Sequence, residues 1–171
     1  MHAKQLFTIG YEGADLADFL ATLTACGVAQ VIDIRDVPIS RKQGFSKNAL
    51  SDALAAKGIA YVHLKELGDP KPGREAARRG EFAAFRKIYG QHLKDPDAQA
   101  ALNVAAQIAG ETVSCLLCFE RAPEHCHRTI VGAALAEKAG FAIKHLGVRK
   151  DAASHRRRDY DRSSDRELAL G

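Results

Sequence analysis

The segment Cys118-Phe-Glu-Arg-Ala-Pro-Glu-His-Cys-His-Arg128 gathers two thiols, two imidazoles, two carboxylates and two guanidinium groups. It follows an apolar run, Val113 to Leu117, and leads into a helical pattern, so it sits where a strand hands over to a helix. Unpaired amides and the positive dipole end at such a junction favour a thiolate or a bound anion. Cys126 is the leading nucleophile candidate, at the helix start beside His127 and Arg128. Consecutive helical residues diverge by about 100°, so His127 is not expected to share its face. His63 and His125, from other positions, are then the candidate partner bases. The plain alternative is a small thiol that packs the helix start. Cys118, Cys126 and His127, or a set that includes His125 and Glu120, offer a mononuclear metal site, but the spacing matches no common zinc module and the leading reading assigns no metal. Cys115-Leu-Leu-Cys118 has C-x-x-C spacing, yet strand alternation sends its two thiols to opposite faces, against a redox motif.

A second polar cluster is Val31-Ile-Asp-Ile-Arg-Asp-Val-Pro-Ile-Ser-Arg41, where Asp33 interrupts an apolar strand. A carboxylate there needs a partner, because an isolated buried charge is costly. Arg35, two residues on and on the same face, can supply it, and a structural ion pair weighs evenly against a catalytic or substrate-orienting role. Arg35 and Arg41 also suit phosphate or carboxylate oxygens, with Pro38 stiffening the loop between them. Tyr11 and Glu12 follow the first strand, and His63, Lys65 and Glu66 follow the third. The catalytic candidates are therefore Cys126, Asp33, Glu120 and His127. The substrate-binding candidates are Tyr11, Arg35, Ser40, Arg41 and Arg128.

The elements that must position these residues are legible as β-type segments at Leu6–Ile9, Val31–Ile34, Ala60–His63, Val113–Cys118 and Ala142–Leu146. Amphipathic patterns at Asp15–Cys26, Lys47–Lys57, Glu81–Leu93, Asp97–Ala109 and Thr129–Ala139 lie between them, with Gly27, Gly58, Gly110 and Gly140 at helix exits. The alternation predicts an α/β fold: one Rossmann-like domain over residues 1–148, with a mostly parallel five-stranded sheet and helices on both faces. An order 3-2-1-4-5 would place the loops after strands one and four at a topological switch point, where ligands of open α/β sheets bind. The connection from His63 to Val113 carries a polar loop, Leu67-Gly-Asp-Pro-Lys-Pro-Gly-Arg74, expected to act as a flap. Phe82, Phe85 and Tyr89 follow helical spacing and read as a core stripe.

At 171 residues with 46% apolar composition, the chain suits one domain with its own core. No apolar run is long enough to span a bilayer, and the start lacks the apolar core of a signal peptide, so a cytoplasmic protein without a membrane partner is expected. The four cysteines are too few for a disulfide-built fold. The formal charge of +4 is mild, and residues 149–171 hold seven Lys/Arg against five Asp/Glu. This charged tail, with its Arg156-Arg-Arg158 run, has no hydrophobic period and is expected to be disordered.

Thr8-Ile-Gly-Tyr-Glu-Gly13, Asp33-Ile-Arg-Asp-Val-Pro-Ile-Ser-Arg41, the Tyr61 and Leu67-Gly68 region and Leu116-Leu-Cys-Phe-Glu-Arg-Ala-Pro-Glu-His-Cys-His-Arg128 together resemble the uncharacterised family called domain of unknown function 488. The resemblance covers roughly residues 5–148. Relatives carry a Gly-His-Ser type of turn where this chain has Gly-Tyr-Glu-Gly at 10–13, so a role for an imidazole there does not transfer. The resemblance implies a fold and shared positions, and it brings no reaction or cofactor. From the residues, the leading reading is a cysteine-dependent hydrolase or transferase acting on a small anionic substrate, phosphorylated or nucleotide-like. In it Cys126 attacks, Arg35, Arg41 and Arg128 hold the anion, and Asp33 or Glu120 orients a base or hydroxyl. Its rivals are a non-catalytic module that binds nucleotide or nucleic-acid phosphates, and a metal-dependent enzyme using Cys118, Cys126 and His127.

Overall fold

Apolar alternation and glycine-bearing exits resolve into a strand–helix succession, broken only by three consecutive helices before the fourth strand, in the computed structural model, which describes residues 3–154. The strands are β1 (Gln5–Gly10), β2 (Gln30–Asp33), β3 (Ala60–His63), β4 (Ser114–Cys118) and β5 (Ala142–Leu146). The helices are α1 (Leu16–Ala25), α2 (Lys47–Ala55), α3 (Lys71–Arg78), α4 (Phe82–Leu93), α5 (Pro96–Glu111) and α6 (His127–Ala139). Every strand pairing is parallel. Phe19, Leu23, Leu50 and Leu54 place α1 and α2 against one face of the sheet, and Ala76, Phe85, Tyr89, Leu102, Val131 and Leu135 place α3 to α6 against the other. Phe85 and Tyr89 are buried there, as the core-stripe reading expects.

The sheet order is β3-β2-β4-β1-β5, which corrects the expected 3-2-1-4-5. Both orders obey right-handed crossovers, and the difference lies in which strand takes the centre. β4 is buried along its whole length, so it needs neighbours on both edges and helices on both faces. Its insertion between β2 and β1 sets Asp33 beside Leu117 and Gly10 beside Cys118. The helices after β1 and β2 cover one face and the helix after β4 covers the other, so the carboxyl end of β4 has a switch point on each side.

A second correction concerns Lys71-Pro-Gly-Arg74, read above as loop. These residues form the first turn of α3, where a proline amide has no partner to lose. At the other end, the chain continues past Leu146 and returns to α1: Arg149 N–H donates to Thr22 Oγ1, and the amides of Asp151 and Ala153 donate to the Asp18 carboxylate at 3.1 and 3.2 Å. The expectation of a disordered tail falls for the most part on residues 155–171, outside the described residues.

Candidate functional site

β4 ends on Cys118, and the chain then makes a short return. Pro123–His125 forms a 3-10 turn, Cys126 N–H donates back to Pro123 O at 3.2 Å, and Thr129 Oγ1 donates to the same carbonyl at 2.5 Å. The return brings Cys126 over Cys118. Their sulfurs are in bonding contact while the Cα atoms stand 7.5 Å apart, beyond the roughly 4.4–6.8 Å usual for disulfide-linked residues. Among the described residues, Cys118, Cys126, His127 and Glu120 each bring one ligand atom to within 4.8 Å of the others. Both cysteines and His127 are buried, and Glu120 is half-buried.

His127 shares this cluster with Cys126, contrary to the expectation from helical divergence. Cys126 is the N-cap, with extended φ −124° and ψ 142°, so the helical angle does not separate the two residues. The His127 Nδ1 atom lies 3.8 Å from Cys126 Sγ, and Nε2 lies 2.7 Å from Ile34 O. A carbonyl can only accept, so Nε2 carries the proton and Nδ1 presents its lone pair to the sulfurs. Burial pushes His127 down to about 4, which keeps the ring neutral at ordinary pH. Burial also raises Glu120 above the usual carboxylate range.

Arg128 is fully buried and binds the chain's own groups. Its Nη1 reaches Cys118 Sγ at 3.2 Å and the carbonyl of Glu120, Nη2 donates to Arg121 O at 3.1 Å, and Nε donates to Thr8 Oγ1 at 3.1 Å. Thr8 Oγ1 in turn lies 2.6 Å from His145 Nδ1. The Arg128 amide lies 3.5 Å from Cys126 Sγ, so that sulfur caps the start of α6. Gly10 is pressed so closely against Glu120 O and Arg128 Nη1 that a Cβ there would collide with both.

Asp33 and Arg35 form a separate network. Ile32, Ile34 and Cys118 face α3 to α6, whereas Val31, Tyr61 and Leu117 face α1 and α2. The Asp33 carboxylate receives Arg35 Nε at 2.9 Å, Arg35 Nη2 at 2.8 Å and Tyr61 OH at 2.5 Å. Arg35 Nη1 donates to Phe45 O at 2.7 Å and to Tyr11 OH at 3.3 Å. Burial works against the Arg35 charge, but Asp33 outweighs it and the net shift is upward. Burial and the Asp33 carboxylate raise Tyr61. Tyr11 is 3% exposed, stacked on Phe45 with centroids 4.5 Å apart. Ser40 Oγ caps Lys42 N–H. Arg41 is exposed and has no acidic partner among the described residues. The structure thus joins Cys126, His127, Glu120 and Arg128 in one cluster and holds Asp33, Arg35 and Tyr11 in another.

The two candidate partner bases are engaged elsewhere: His63 Nε2 lies 2.6 Å from Arg35 O, and exposed His125 stacks on Phe82 at 3.9 Å. Cys115 packs on the α1–α2 face, away from Cys118 as strand alternation requires, and burial raises its thiol. A residue the sequence reading passed over is Asp69, which is 6% exposed and whose Oδ1 has no hydrogen-bond donor. Its signal in the sequence is weak, since an Asp before Pro reads as a turn residue. A cavity of about 620 Å³ is lined by the turn after β1, the start of α1, Arg121 and the stretch that includes Val148, Lys150 and Asp151, and no member of the cysteine cluster lines it.

Comparison with curated proteins and with solved structures finds no match. The family described as domain of unknown function DUF488 matches residues 15–135, a stretch that runs from the N-cap of α1 to the middle of α6 and includes every member of the cysteine cluster. The chain belongs to that family.

Proposed function

We propose that the protein is a metal-dependent enzyme whose ion is held by Cys118, Cys126 and Nδ1 of His127, with Zn²⁺ the ion of best fit. The observation that carries this reading is the convergence of two buried thiols and an oriented imidazole lone pair within 4.8 Å. Soft sulfur with one imidazole is a zinc donor set, and three protein ligands leave a fourth position for water or substrate. His127 has the outer partner such ligands carry, a backbone carbonyl that fixes the tautomer. Two thiolates held this close repel unless a cation or a covalent bond joins them. Glu120 brings a carboxylate oxygen within 4.8 Å of these donors and would serve there as a base toward a water or substrate hydroxyl. Thiolate ligands suit a reducing compartment, in keeping with a cytoplasmic protein.

In the cavity lined by the turn after β1, Arg121 and Lys150 are outnumbered by Glu12, Asp15, Asp18 and Asp151, so its lining gives no support to a small anionic substrate there. The forks of Arg35 and Arg128 are occupied within the protein. The nucleophile reading keeps one supporting observation, the helix amide on Cys126 Sγ, but that sulfur is buried against Cys118.

Elemental analysis of the purified chain should find about one zinc per molecule, released when the thiols are alkylated under denaturing conditions. Cys118→Ser, Cys126→Ser and His127→Ala should each lose most of it, and Cys115→Ser should keep it. A protein that neither carries nor takes up zinc, and whose peptides show a Cys118–Cys126 crosslink, would overturn the reading.

A further inference from the structure

We propose that the outer surface of α3 and α4, with His125 beside it, is a docking surface for single-stranded nucleic acid. Lys71–Leu93 holds six Lys/Arg against two Glu, a net +4 that equals the formal charge of the whole chain, so all other residues together sum to zero. Arg74 is held by Asp36, Arg79 pairs with Glu81, and Lys71 lies 3.9 Å from Glu75. Arg78, Arg86 and Lys87 are exposed and have no acidic partner among the described residues. Three cations left in solvent on one helical hairpin raise the local potential toward a polyanion. The loop that meets α4 through His125 adds Glu120 and Glu124 against Arg121, which leaves the combined surface positive.

Phe82 sets the kind of polyanion. It shares the helical spacing of Phe85 and Tyr89, but those two are buried in the core, whereas Phe82 is half-buried and outside it. Its ring instead stacks on His125, with centroids 3.9 Å apart and planes 15° from parallel. His125 is exposed although Phe82 covers one face of its ring, so the rest of the ring meets solvent. A flat ring supported from behind stacks an unpaired base, whereas the bases of a duplex are already stacked on one another. Arg78 precedes Phe82 by four residues at the end of α3, and Arg86 follows it by one helical turn, so guanidinium groups flank the platform along the chain. None of the three free cations lines the cavity, and they are spread over two helices. That distribution suits successive phosphates of a strand rather than a free nucleotide in a pocket. His125 directly precedes Cys126, so a base held on it lies one residue from the cysteine cluster.

Docking here requires no metal. Fluorescence anisotropy of the full chain with labelled oligo-dT and oligo-U of about 12 nucleotides should show binding to one or both. Log affinity should fall with log salt at a slope of about −2, as three phosphate contacts on a single strand require. Arg78→Gln, Arg86→Gln and Lys87→Gln combined should weaken binding by about tenfold or more. Exposed Lys57→Gln, at the amino end of β3, should leave it unchanged. His125→Ala should weaken binding by about tenfold, and His125→Phe should restore it by stacking alone. No binding to either oligonucleotide at low salt, or binding that ignores the triple variant, would overturn the assignment. An indifferent His125→Ala, or poly-glutamate competing as well as unlabelled oligonucleotide, would point instead to an acidic protein partner and overturn it too. Zinc absent from a chain that binds oligonucleotide sinks the metal reading alone. Zinc present in a chain that binds none sinks the docking surface alone.

Discussion

At the scale of single residues, the two arginine forks separate binding from architecture. Arg35 carries the bidentate geometry that suits an anion, and the anion it holds is Asp33 of its own chain. Lysine would keep the charge but lose the bond to Phe45 O or one to Asp33, leaving a buried carboxylate under-satisfied. Arg35→Lys should therefore cost about 2–4 kcal/mol in urea unfolding, whereas exposed Arg41→Lys should fall within about 0.5 kcal/mol of the parent. Asp69 gives a pH dependence with a definite sign. Its folded-state value near 7 lies above the ordinary carboxylate value of about 3.9, so its share of stability is present at low pH and is lost as pH rises toward and through 7. Asp69→Asn should match the parent at pH 4 and be more stable by roughly 1–2 kcal/mol at pH 8, read from melting curves at both pH values.

At the scale of elements, the close approach of Gly10 to the Glu120 carbonyl couples β1 to the loop after β4. Gly10→Ala must push backbone against backbone and should lower stability by about 1–3 kcal/mol, and, if the proposed zinc site is there, weaken zinc retention with it. Much of this level was legible in the sequence. The apolar alternation around Val31, Tyr61 and Ile143 located the strands, and Cys118 to Arg128 marked the junction that holds the cluster. α3 was not legible, because Pro72 and Gly73 lower helix propensity while the reasons for the helix, burial of Ala76 and the packing of Asp69 beneath Gly73, are tertiary. Strand order was hidden for a similar reason, since crossover handedness permits more than one central strand. The divergence expected between Cys126 and His127 failed on one dihedral pair, because the cap residue stands outside the helix. No helix among the described residues is long and apolar enough to cross a membrane, as the absence of a long apolar run predicts.

For the whole molecule, the boundary of the folded unit turns on α1. Thr22 and Asp18 hold the amides of Arg149, Asp151 and Ala153, so the chain remains tied to the domain beyond β5. Removing residues 155–171 should leave the melting temperature within about 1 °C of the full chain, whereas ending the chain at Gly147 should lower it by about 4 °C or more. A drop of similar size in the shorter truncation would show that residues 155–171 contribute contacts of their own.

The central position of β4 also has a consequence during synthesis. β1, β2 and β3 leave the ribosome well before the strand that must separate β1 from β2, with α3, α4 and α5 emerging in the interval. Until β4 arrives, β1 has no strand on either edge and β2 is open on one, and the two cannot pair with each other without excluding the strand to come. The nascent chain thus carries open strand edges as templates for misassociation until β4 has been made. Cys118 ends the late strand and Cys126 follows eight residues on, so the cluster can be completed only after the strand that seals the sheet has been made.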